Sequence, residues 1–105
     1  MENRIEKIKE VLDTHKAEDI TAIDLADQGY IVDYVVIATA LNNKHSIALL
    51  NHLRTDLKNA GEEFVRIEED ENWSVIDLGD ILIHIMVQEH REKYNLEEFL
   101  SELKQ

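Results

Sequence analysis

Two pairs of closely spaced aspartates are the candidate metal ligands of an enzyme, Asp77 with Asp80 and Asp24 with Asp27. Paired carboxylates hold the divalent ions of nucleotidyl transfer, but that chemistry also needs a Gly-Ser turn for the phosphates and both acids on one strand face. At the entry to the helix that would carry such a turn stands Ala40-Leu41-Asn42, with no glycine to let backbone amides approach a phosphate. Asp77 and Asp80 lie across a turn from one another and Asp24 and Asp27 straddle a strand end, so neither pair projects from one face.

Histidine chemistry fares no better. His45 and His52 are seven residues apart, two turns along one helix and too distant to share an ion, and read as solvated side chains. His84 sits among apolar strand residues and reads as a hydrogen-bonded structural histidine. Ser74 could lie across from it, but no acid is placed to orient such a pair. There is no cysteine, which removes thiolate catalysis, disulfides and thiolate metal sites and fits a reducing compartment. We therefore expect no enzyme, no catalytic residue, no metal and no cofactor, with a metal-dependent nucleotidyltransferase kept as the alternative.

The residues that remain are those of a binding surface, and a β-hairpin must position them. Across 73–86, W-S-V-I-D-L-G-D-I-L-I-H-I-M, apolar residues alternate on both sides of a Leu-Gly turn. With the turn centred on Leu78 and Gly79, Trp73, Val75, Ile81, Ile83 and Ile85 point one way, and Ile76, Leu82, His84 and Met86 the other. Both faces are apolar, so one can be core while the second needs a cover, either a partner or another copy in a homodimer.

Around the hairpin, Ile5, Ile8, Val11 and Leu12 predict an amphipathic helix over 3–15. Strands are expected over 20–25 and 34–39, the second an unbroken Val35-Val36-Ile37-Ala38 run suited to burial on both faces. Asn42 or Asn43 can cap a helix whose Ile47, Leu50, Leu53 and Leu57 share a face, and Gly61 suits its left-handed stop. A short strand over 64–67, an acidic loop over 68–72, the hairpin and one final helix with Leu96, Phe99, Leu100 and Leu103 complete the chain. The order predicts a single α/β (α+β) domain over 1–105, a mixed five-stranded sheet with helices mainly on one face.

The hairpin segment W-S-V-I-D-L-G-D-I-L-I-H, followed by R-x-x-Y-x-L-E over 91–97, resembles the signature of the ribosomal silencing factor family, also called Iojap or RsfS. Lys16-Ala17-Glu18-Asp19-Ile20, Asp33-Tyr34 and Lys44-His45 fall in that family's order, so the resemblance covers most of the chain. It implies a nucleotidyltransferase-like architecture without the catalytic motif, and a protein that meets a large-subunit ribosomal protein, the universal protein fourteen. The implied consequence is steric: the bound factor blocks joining of the small and large subunits and represses translation when nutrients are scarce. The resemblance places Trp73 and Asp77 on the contact, and we take Val75, Asp80 and Tyr94 with them as partner-binding residues. Tyr94 could equally brace the last helix on the sheet. The sequence departs from the family pattern at Ala40-Leu41-Asn42, where Gly-Thr-Ser is common, and at Arg66-Ile67, where Glu-Gly is common.

Charge is consistent with such a partner. Eleven basic residues against twenty-three acidic leave −12, which repels phosphate backbones and argues against direct nucleic-acid binding. An acidic surface suits a basic protein, although a small acidic interaction scaffold would show the same balance. The charged N-terminal segment and the lack of a long apolar run predict no membrane association and a cytoplasmic protein.

Overall fold

The computed structural model describes residues 2–102. The run that must be buried on both faces is the centre of the sheet: β2 (Tyr34–Ala40) pairs in parallel with β5 (Ile81–Val87), from Tyr34 opposite Ile81 to Ala40 opposite Val87. β1 (Glu18–Asp24) adds antiparallel to β2, with a bulge between Glu18 and Thr21. On the other side β4 (Trp73–Asp77) pairs antiparallel with β5, and the short β3 (Arg66–Glu68) with β4. The result is a mixed five-stranded sheet in the order β1-β2-β5-β4-β3.

Two long helices cover one face. α1 (Glu2–Thr14) and α2 (Asn43–Asn59) bring Ile5, Ile8, Val11, Leu12, Leu49, Leu50, Leu53 and Leu57 onto Val36, Ala38, Ile76, Ile81, Ile83 and Ile85. The opposite face is covered only in part. There Val35, Ile37 and Met86 pack with Leu25, Val32 and Leu100. Asn42 caps α2, its side-chain oxygen accepting the His45 N–H at 2.8 Å, and Gly61 at φ +93° follows the helix end as expected. Ile47, expected on the buried face of α2, is half-buried, and Leu49 lies in the core instead.

Four expectations need correction. The hairpin turn centres on Gly79 and Asp80, because the Leu78 N–H donates to the Ile81 carbonyl at 2.9 Å and Gly79 supplies the positive φ of a two-residue turn. The faces pair differently as well: residues opposed across a two-residue turn share a face although their numbers differ by an odd amount, so Trp73 and Val75 lie with Leu82, His84 and Met86, not with Ile81, Ile83 and Ile85. The final helix is two, α3 (Gln88–Tyr94) and α4 (Leu96–Glu102), broken where Asn95 takes φ +39°. Tyr94 thus ends α3, Phe99 is exposed, and Leu103 lies outside the described residues. The strand expected at 64–67 is β3, which starts two residues later at Arg66 and ends one later at Glu68.

Nor are the helix histidines simply solvated. His45 Nδ1 accepts the Leu41 N–H at 2.9 Å, which places the ring proton on Nε2, donating to the His15 carbonyl at 2.8 Å. His52, although exposed, lies flat on His15 with ring centroids 3.5 Å apart. Both contacts tie α2 to His15, the residue that follows α1. Leu53, with 0% exposure, sits at the centre of the two-helix layer, and Leu53→Ala is expected to cost about 2–5 kcal/mol, read as a lower urea midpoint with an unchanged slope.

Candidate partner-binding face

Along β4 the side chains alternate strictly, Ser74 and Ile76 buried beneath the helices and Trp73, Val75 and Asp77 half-buried on the other face. Across the ladder Trp73 opposes Met86, Val75 opposes His84 and Asp77 opposes Leu82. This surface lies opposite α1 and α2, with Trp73 packed against the cluster that contains Met86 and Leu100, and it continues onto β3, where Arg66 opposes Asp77 and Glu68 opposes Val75.

Trp73 is held at both ends. Its indole N–H donates to His84 Nδ1 at 3.0 Å, and the Tyr94 ring lies against it, centroids 5.1 Å apart and planes tilted by 41°. At its amide, Asp70 Oδ1 accepts from the N–H groups of Asn72 at 2.8 Å and Trp73 at 3.3 Å, so the acidic loop is an ordered turn leading into the strand. Burial pushes His84 down to about 4, which keeps it neutral and able to accept the indole proton. Ser74 does not face His84. It opposes Ile85 on the helix side, and its hydroxyl exchanges hydrogen bonds with the Asp70 backbone, accepting from the N–H at 3.0 Å and donating to the carbonyl at 2.8 Å.

The aspartates have separate tasks. Asp77 Oδ1 accepts the Gly79 N–H at 2.8 Å and so closes the turn beneath its own side chain. Asp80 is drawn away from the Trp73 face by Arg4 of α1, which donates to it at 2.6 and 2.9 Å and to Glu62 at 2.8 and 2.9 Å. The guanidinium holds the Asp80 carboxyl below the usual carboxylate range. Asp24 accepts the Ala26 N–H at 3.0 Å and the Tyr34 hydroxyl at 3.2 Å. Among the described residues no cluster of three or more His, Asp or Glu is placed to hold a metal ion. Of the five residues singled out, then, Trp73, Val75, Asp77 and Tyr94 share one surface and Asp80 leaves it.

The sequence alone did not reveal why Arg91 matters. It is buried, and its guanidinium donates to Thr39 Oγ1 at 2.8 Å, Thr21 Oγ1 at 3.1 Å, the Asp19 carbonyl and Glu97 at 2.9 Å. One side chain thereby joins β1, β2, α3 and α4. The R-x-x-Y-x-L-E spacing held the signal, since its Arg and Glu are the ion pair and its Tyr is the ring on Trp73.

Compared with known proteins, residues 1–105 match the profile of the family described as "Ribosomal silencing factor during starvation". The chain belongs to that family. The ribosomal silencing factor RsfS of Haemophilus influenzae is 36% identical over 96 residues, covering 89% of this chain and 93% of the relative. A mouse protein named "Mitochondrial assembly of ribosomal large subunit protein 1" is 31% identical over 98 residues, covering 89% of this chain but 43% of its own length. A crystal structure of a Chromobacterium violaceum protein superposes with a TM-score of 0.88 at 28% identity, covering 94% of this chain and 85% of that one. The five-stranded mixed sheet expected from the sequence is therefore the fold found in this family. Among the described residues no helix is long and apolar enough to cross a membrane.

The neutral His84 carries a pH signature. Its folded value of about 4 lies below the ordinary 6.5, so as the pH falls the unfolded chain takes up this proton first, and its stabilising contribution is lost through that window. Urea unfolding at pH 7 and pH 5 should show wild type losing about 2 kcal/mol more than His84→Gln, whose side chain keeps an acceptor for the indole but does not titrate.

Proposed function

We propose that this silencing factor binds the large ribosomal subunit through the Trp73, Val75, Asp77 and Tyr94 surface, with universal protein fourteen as its contact. Asp80 lies at the hairpin tip beside this surface, bound to Arg4. Bound there in the cytoplasm, it sterically prevents joining with the small subunit and represses translation under nutrient limitation, without catalysing a reaction. The observation that carries this reading is the half-buried indole of Trp73, fixed by His84 and Tyr94 on the sheet face opposite α1 and α2.

A rigid aromatic of this kind supplies desolvation energy at little ordering cost, and surrounding carboxylates select a basic partner and speed the encounter. The family relationship and a net charge of −12 support the same partner chemistry. A metal-dependent transferase is disfavoured by what the hairpin aspartates do: Asp77 closes the turn and Asp80 pairs with Arg4, on different sides of the hairpin.

The test is sedimentation with purified large subunits. Wild-type protein is expected to travel with them, and Trp73→Ala combined with Asp77→Lys to bind at least about tenfold more weakly. The urea midpoint of the variant, measured alongside, shows that it is folded. Equal recovery of a folded double variant would exclude this surface.

A further inference from the structure

We infer that the recess beside Trp73 receives an arginine side chain from the basic partner. This rests on the docking face proposed above and names the chemistry of the group that face takes. The recess has a volume of about 580 Å³ and is lined by Trp73 and Val75 of β4, His90 and Tyr94 of α3, and Glu68, Glu69 and Asp70 from the end of β3 and the loop after it. Aromatic rings therefore meet carboxylates around one opening.

Its aromatic part is built to present ring surface. Trp73 and Tyr94 lie 5.1 Å apart and Tyr94 and His90 5.7 Å apart, tilted by 41° and 42°. The indole N–H is committed to His84, so what Trp73 offers a ligand is its π-face and not a donor. Tyr94 also attracts a cation from within the chain, Lys93 Nζ standing 5.4 Å from its ring centroid, although Lys93 does not line the recess.

The acidic part is available for exchange. Glu68 pairs with Arg66 and Glu69 with Arg54 at 3.7 Å, and all four side chains are about half exposed or more, the setting in which an ion pair contributes little and a partner's cation can replace it. Asp70 differs, since its carboxylate already accepts two backbone N–H groups and holds the loop in shape. A guanidinium suits this combination better than an ammonium: it is planar, weakly hydrated, stacks on an indole and forks onto carboxylates. The charge of the rim turns away anionic groups.

Two measurements test the proposal separately from the ribosomal reading. In the first, Nα-acetyl-arginine amide, Nα-acetyl-lysine amide and the uncharged Nα-acetyl-citrulline amide are titrated into the protein while the Trp73 indole N–H resonance is followed. Arginine is expected to give a weak, saturable shift, lysine to bind about threefold or more weakly, and citrulline not to saturate. Glu68→Gln with Glu69→Gln should weaken the arginine response by about threefold or more, with the urea midpoint unchanged. A response to arginine no stronger than to lysine or citrulline, or one indifferent to the double variant, overturns the inference. In the second, the same double variant is sedimented with large subunits. Arginine binding without sedimentation of the wild type would retain the recess and sink the ribosomal reading; sedimentation with no arginine response would do the reverse.

Discussion

The functional face depends on the register of one hairpin. Side chains alternate along a strand, so a shift of a single residue between β4 and β5 would bury Trp73 under the helices and turn Ile76 outward. Two local devices fix the register. Gly79 adopts a φ of +93° that other residues rarely take, and Asp77 accepts the Gly79 N–H, closing the turn over Gly79 and Asp80. A long-range device reinforces them, for Arg4 grips Asp80 and Glu62 together and binds the hairpin tip to α1 and to the segment leaving α2. The acid that closes the turn faces the open side, while the acid at the tip is used to attach it.

At the other end of the hairpin the constraint is Arg91. Its guanidinium gathers the bulge of β1, the end of β2 and the first turn of α4, which fixes where α3 leaves β5 and hence where Tyr94 meets Trp73. A buried guanidinium is tolerated because each contact is a hydrogen bond to an oxygen and one of these is the Glu97 carboxylate. The backbone cooperates: Asp19 at φ +47° supplies the carbonyl, and Asn95 at φ +39° breaks the helix so that Glu97 can return toward Arg91.

Much of this was legible from pattern. The unbroken Val35 to Ala38 run announced a doubly covered strand, Asn42 and Gly61 bounded α2, and the alternation from Trp73 to Met86 announced the hairpin. What escaped depended on single residues or distant partners. Leu78-Gly79 and Gly79-Asp80 are both acceptable turns by composition, and only the hydrogen bond between Leu78 and Ile81 decides between them. Asn95 carries no helix-breaking signature as strong as proline or glycine, so α3 and α4 read as one helix. The partners of Arg91 lie 52 and 70 residues away at Thr39 and Thr21, beyond the reach of any periodicity, and the His15 stack under His52 likewise joins separate segments. At the candidate site the order of residues pointed to Trp73 and Asp77, whereas the removal of Asp80 from that face by Arg4 could be seen only in three dimensions.

The parallel pairing of β2 with β5 has a consequence for how the polypeptide is made. During synthesis β2 emerges well before residues 81–87, the neighbour that completes the middle of the sheet. Until then its hydrophobic stretch has a partner on one flank only, in the antiparallel β1, and a bare edge on the other. Escape from aggregation in that interval falls to local folding, as the α1, β1, β2 and α2 segment collapses on itself before the hairpin arrives to seal it.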